Sequence, residues 1–117
     1  DKEVIFKHKA NAHYYNDQLK NVNGVTLLEN KEGYDSAYWI YTLKVERQDD
    51  FMKMMQDKNI MVSRVHERND KHSCVKEFRS ALPNLDKVVK EMICIPVGWW
   101  VTKEQREYIV ESIKGGW

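Results

Sequence analysis

The chain has 117 residues, 42% hydrophobic and 32% charged, with 19 basic and 18 acidic side chains and a net charge of +1. That length supports one domain, residues 1–117, with a modest core, and the composition is too apolar for a disordered chain. The charge balance gives no electrostatic case for nucleic acid or an anionic membrane as main partner, and no apolar run approaches the ~20 residues of a membrane helix.

In chain order, residues 1–21 read as an amphipathic helix. Ile5, His8, Ala12, Tyr15 and Leu19 recur by three and four on one face. Asn21 to Gly24 stops it, with Gly24 suited to a left-handed turn. Val25 to Leu28 reads as a short strand, and Asn30 to Ser36 as a polar loop. Ala37 to Glu46 is the clearest strand, with Trp39, Tyr41, Leu43 and Val45 expected on one face as sheet core. Residues 48–58 read as a helix with Phe51, Met54 and Met55 inward. Asp49 and Asp50 suit its first turn.

Ile60 to His66 reads as the next strand. Residues 70–81 read as an irregular short helix with Val75, Phe78 and Leu82 facing inward. Pro83 fits the first turn of another short helix that buries Leu85, Val88 and Val89. Met92 to Val97 is wholly apolar and is expected to be a central strand, with Pro96 limiting its ladder. Thr102 and Gln105 form a capping-box pattern for a last helix with Ile109, Val110 and Ile113 inward, ended by Gly115 and Gly116. The expected fold is therefore α/β, or α+β: a small sheet of about four strands with helices mostly on one face.

The segment Asn59 to Cys74, N-I-M-V-S-R-V-H-E-R-N-D-K-H-S-C, starts apolar and then becomes densely polar and charged. A strand end opening into such a loop is a common place to hold a polar or anionic ligand. Arg64 and Arg68 can grip phosphate or carboxylate in a fork, with His66 and Asn69 beside them. The competing reading is a solvated loop of weak ion pairs. His66 and His72 with Glu67 and Asp70 match no zinc spacing, so no metal is expected. Cys74 beside His72 lacks any evident base to activate it, and Cys94 reads as a small core residue. With these two cysteines alone there is no disulfide framework, and a reducing cytoplasmic setting is expected. No signal peptide is visible. The chain begins with Asp rather than Met, so a processed or cut start is expected. The Trp99–Trp100 pair reads as packing or interface before ring stacking.

V-S-R-V-H-E-R-N-D-K-H-S-C, then L-P-N-L-D-K, then M-I-C-I-P-V-G-W-W-V-T-K-E-Q-R-E-Y-I-V-E-S-I resemble the C-terminal part of DegT/StrS-type sugar aminotransferases. The earlier N-A-H-Y-Y-N-D-Q-L-K-N-V-N-G-V-T-L-L is similar to the stretch where that family's long helix enters its small domain. The resemblance implies a mainly antiparallel sheet covered by helices, as in the C-terminal domain of fold-type-I pyridoxal-phosphate enzymes. It also implies a bacterial dimeric enzyme that aminates nucleotide-linked keto-sugars in polysaccharide biosynthesis.

The resemblance points to Ser63, Arg64 and His66 most strongly as substrate-binding residues, then Arg68, Asn69 and Asp70. It places the Schiff-base lysine and phosphate cup in a preceding large domain. None of the 14 lysines here sits in a matching segment. The expectation is thus no cofactor and no catalytic residue in this chain, and pyridoxal phosphate in the full-length enzyme. Two alternatives stay open: a fragment of such an enzyme, or a stand-alone ligand-binding or homodimeric module derived from it. A small regulatory domain of ferredoxin-like type is a third option, though it leaves the polar loop and the tryptophan pair without a role.

Overall fold

A computed structural model describes all residues from Asp1 to Trp117. Helix α1 spans Lys2–Leu19 and starts at Asp1, whose Oδ1 accepts a bond from the Glu3 N–H at 2.9 Å. His8, Asn11, Ala12, Tyr15 and Leu19 are buried along it, whereas Ile5, expected inward, is 44% exposed. The chain then reverses through Gly24 at φ 79°. Its positive φ favours glycine, and the ring of Trp117, 3.0 Å from where a Cβ would stand, would have to shift slightly for any other residue.

Three strands form, shorter and fewer than the four expected, with β2 alternating and β3 apolar as read. β1 (Val25–Leu27), β2 (Tyr41–Val45) and β3 (Met92–Ile95) form one antiparallel sheet in the order β1-β2-β3. Val25 pairs with Val45, and Tyr41 with Ile95. The central strand is therefore β2, not the apolar β3. The strand expected from Ala37 begins only at Tyr41, because Tyr38 adopts φ 49° and turns the chain out of the ladder. Trp39, expected on the core face, is 68% exposed.

The strand expected over Ile60 to His66 is reduced to a single bridge, Ser63 with Cys94, which exchange N–H···O bonds of 3.2 and 2.8 Å. Extending that register would pair Met61 with Pro96, which has no N–H to give. In the other direction it would pair Val65 with Met92, but Val65 sits at φ 49°. Ile60 and Val62 are buried with Met61 exposed between them, so the segment is extended without being a ladder.

α2 (Gln48–Asp57) and α4 (Lys103–Lys114) join α1 on the face carrying Tyr41, Leu43 and Val45. Phe51, Met55, Ile109, Val110 and Ile113 meet Tyr15, Leu19 and Ile93 in one core, and Met54 lies at its edge. α4 has the complete capping box: Gln105 N–H donates to Thr102 Oγ1 at 3.2 Å, and Thr102 N–H donates to Gln105 Oε1 at 3.0 Å.

Residues 63–92 behave differently, since none of them is buried. Two 3₁₀ turns, Asn69–Lys71 and Ser73–Phe78, lead to α3 (Pro83–Glu91), which begins with its proline as expected. Burial expected for Val75, Phe78, Leu82, Leu85, Val88 and Val89 does not occur, and Phe78 is 75% exposed. The lobe touches the sheet mainly through α3, whose Glu91 pairs with Lys44 of β2. The radius of gyration is 15.6 Å, against roughly 13 Å for a compact chain of this length. No helix is long and apolar enough to cross a membrane.

Candidate functional site

The segment from Ile60 to His66 keeps the period-two character of an extended chain, so its neighbours point in opposite directions. Met61, Ser63 and Val65 line an open groove of about 510 Å³ together with Trp39, Ile40, Pro96 and Trp100. Arg64 turns the other way, into a charged recess of about 550 Å³ with Arg47, Asp49, Asp50 and Lys90.

Arg64 is held at two points. Its Nε donates to Gln48 Oε1 at 2.8 Å and a terminal nitrogen donates to Asp49 Oδ1 at 2.9 Å. Gln48 is buried, and its amide nitrogen donates to the carbonyls of Val89, at 3.2 Å, and Met92. One amide thus fixes the first turn of α2, the end of α3 and the Arg64 guanidinium. Asp49 is almost fully solvated, so this ion pair is weak and open to exchange with another anion.

After Arg64 the chain makes a tight reversal around Val65, with the His66 N–H donating to the Arg64 carbonyl at 2.5 Å. A β-branched residue at φ 49° is strained, a condition that persists where surrounding structure imposes it. The turn leaves His66 exposed, with its ring 6.3 Å from that of Trp39 at 57°. Tyr38, the residue before Trp39, is also at positive φ, and its carbonyl is bound by His8 Nδ1 at 2.8 Å.

Arg68 and Asp70 form a separate cluster in the lobe. Arg68 donates to both Asp70 oxygens at 2.8 and 2.7 Å, and also to Asp86. Arg79 adds bonds of 2.6 and 2.8 Å to the carbonyls of Asp70 and Lys71. The Arg68 guanidinium holds the Asp70 carboxyl below its usual value, and these hydrogen bonds to two carboxylates raise the Arg68 pKa in turn. Asn69 is exposed, and its carbonyl closes the 3₁₀ turn by accepting from His72 N–H at 3.2 Å.

The six residues singled out in the sequence are therefore not gathered at one point. Ser63 faces the groove, Arg64 the recess, His66 the Trp39 corner, and Arg68 and Asp70 hold each other. His66, Glu67, Asp70 and His72 do not converge as metal ligands would. Cys74 is exposed. Cys94 is buried, with its sulfur 3.2 Å from Thr42 Oγ1.

Sequence reading missed Gln48, Trp39 and Asn11. Asn11 is buried in α1, where its amide nitrogen donates to the carbonyls of Val97, Gly98 and Val101 at 3.3, 3.2 and 3.3 Å. Its oxygen accepts from Arg106 at 3.2 Å. It thereby pins the turn that presents Trp99 and Trp100. The Trp100 ring lies directly over Gly98, where any side chain would collide with it. Nothing in the local sequence separates these amides from the solvated ones around them.

The DegT/DnrJ/EryC1/StrS aminotransferase family model matches residues 2–114. The sugar aminotransferase CalS13 of Micromonospora echinospora is 41% identical over 99% of this chain, with a TM-score of 0.96, and 31% of its own length is covered. AtS13 of Actinomadura melliaura is 38% identical over 99% of the chain and 31% of its own, with a TM-score of 0.95. The erythromycin biosynthesis sensory transduction protein EryC1 of Saccharopolyspora erythraea is 24% identical over 110 residues, which are 90% of this chain and 30% of that protein. The chain thus spans about a third of the length of these relatives. With nearly every residue matched and the fold reproduced, the chain belongs to the DegT/DnrJ/EryC1/StrS aminotransferase family.

Proposed function

We propose that this chain is the small, substrate-facing domain of a pyridoxal-phosphate-dependent aminotransferase acting on nucleotide-linked keto-sugars. The observation that carries this reading is the 41% identity to a sugar aminotransferase over 99% of the chain. In this reading the domain closes over a site completed by the rest of a full-length enzyme and contributes binding, not covalent chemistry.

The coenzyme needs a lysine whose ammonium is desolvated or set beside another cation, so that it loses its proton near neutral pH. The buried residues include no lysine. Lys44, Lys87 and Lys90 stand with Arg47 in an open, solvated recess, and in this reading the coenzyme's covalent anchor is supplied by the rest of the full-length enzyme.

The groups present suit recognition of an anionic, ring-bearing substrate. Arg64 is half-exposed and paired with a single solvated carboxylate. A diphosphate can displace that carboxylate at little cost, since such surface pairs contribute about 0–1 kcal/mol. Ser63, His66 and Asn69 offer further donors and acceptors from the same stretch. Arg68 and Asp70, already satisfied by each other, act as the brace that holds Asn69 in place.

Calorimetric titration of the chain with a panel of nucleotide-sugars and with pyridoxal phosphate tests this. Saturable binding of a nucleotide-sugar that Arg64→Ala abolishes is the expected result. Binding that ignores Arg64, or no binding by folded protein, would refute the assignment of the polar loop as a half-site.

A further inference from the structure

We propose that the groove between Trp39 and Trp100 is a ring-binding subsite, and that Trp39 is its stacking platform. The occupant is a neutral ring with an open π or C–H face. The inference rests on the reading of the chain as a nucleotide-sugar domain, and it names the part of that ligand this surface takes.

None of the twelve residues lining the groove is charged, and most are apolar: Trp39, Ile40, Met61, Val65, Pro96 and Trp100 among them. Its volume of about 510 Å³ is that of a small-molecule site, and an apolar wall with few polar groups is the usual lining of one. The Ser63 side chain is in the wall, and His66 stands beside Trp39 at 6.3 Å. A charged group has no counterpart in this groove, so the anionic part of a ligand is directed elsewhere. Arg64, next to Ser63 in the chain, turns into the separate recess behind the extended segment and is the nearest guanidinium in sequence.

The two indoles, one in the bend before β2 and one in the turn after β3, are 68% and 62% exposed, high values for so large an apolar side chain. Their exposure is built in. Tyr38 at φ 49° lifts Trp39 out of the strand face that would bury it, and His8 holds the Tyr38 carbonyl from α1. Val65 at φ 49° keeps His66 beside Trp39. Strained backbone thus stands on both sides of one aromatic corner, a condition that clusters at ligand sites, and a flat continuation of β2 would instead have buried Trp39 within this domain. Trp100 is set by Gly98 beneath it and by the edge of His8, 6.2 Å away.

The test is nuclear magnetic resonance of the 117-residue chain, following the Trp39 indole N–H during titration with uridine diphosphate glucose, uridine alone and methyl glucoside alone. The same titrations are run on Trp39→Ala, Trp39→Phe and Arg64→Ala. The expected result is a saturable Trp39 shift, an affinity about tenfold or more weaker in Trp39→Ala, and recovery of most of it in Trp39→Phe. A shift with uridine identifies the ring as the base, and a shift with methyl glucoside identifies it as the sugar. Binding that is lost in Arg64→Ala but unchanged in Trp39→Ala overturns the subsite and leaves the functional reading standing. No saturable binding by the unaltered chain overturns both. Self-association in sedimentation that Trp39→Ala dissolves makes the groove an interface between copies and also overturns the proposal.

Discussion

Replacing Asn11 by alanine should cost more than any surface substitution, and the cost can be worked from its contacts. The side-chain amide has two hydrogens shared among three carbonyls, those of Val97, Gly98 and Val101, all in buried residues. That amounts to two neutral bonds, each worth about 1 kcal/mol net and more when the acceptor is left buried without a partner. The Asn11 oxygen also accepts from Arg106, which lies 4.6 Å from the Tyr14 ring and whose Nε has no partner. Losing that charged bond and leaving a small void brings the total to about 3 kcal/mol. For a chain of this size that is a fall in Tm of roughly 10–15 °C, read by urea and thermal unfolding. Asn11→Asp keeps the shape and the Arg106 contact but faces three carbonyls with an acceptor. It should therefore fail to restore stability. A loss below about 1 kcal/mol for Asn11→Ala would refute the reasoning, because water would then be replacing the amide at a turn taken here to be sealed.

Two further outcomes follow from other elements. Thr102→Ala removes one half of the α4 capping box and should cost about 1 kcal/mol in urea unfolding, while Thr102→Asp, which can still cap, should stay close to the unaltered chain. The Asp70 carboxyl has its folded pKa held below the unfolded value of about 4 by Arg68. Its contribution to lobe order is therefore complete at neutral pH, starts to fall below that value and is lost as pH drops through the folded one. The Nε–H resonances of Arg68 and Arg79 should broaden or shift in acid before those of the core amides change. Asp70→Asn should loosen the same groups at pH 7. Simultaneous loss of lobe and core signals would contradict this.

What the sequence revealed was local. The α1 stripe from His8 to Leu19, the Thr102–Gln105 cap and the Gly24 turn depend on neighbours within one or two turns, and each stands in the structure as read. The alternation of Tyr41, Leu43 and Val45 was equally visible. Trp39 was misread because its direction is decided by Tyr38, whose conformation is bound to a histidine 30 residues earlier. The lost strand at Ile60 to His66 depends on a proline more than 30 residues later in the pairing register. Apolar residues in α3 and its approach, such as Phe78 and Val88, read as core by pattern, but the lobe that carries them never reaches the core. Among the site candidates, Arg64 kept an accessible face, whereas the partner that occupies Arg68 besides Asp70 is Asp86, a pairing that local spacing does not announce.

The candidate site therefore joins two materials with different physics. Ser63 is tied to the sheet by its bridge to Cys94, beside the buried Val62, and Trp39 and Val65 line the groove around that anchor, so the groove is held from the core side. Arg68, Asn69 and Asp70 belong to a lobe with no buried side chain, held by ion pairs and by bonds from Arg79 and Gln48 to backbone carbonyls. Apolar contacts strengthen slightly under salting-out ions, while exposed ion pairs are screened within about 10 Å at 0.1 M salt. Salt should thus act on the lobe and spare the groove. A ligand that reaches from the groove to the lobe would tie the weakly held half to the rigid one. Its ordering cost would fall on residues 66–91 and hardly at all on the platform that first meets the ring.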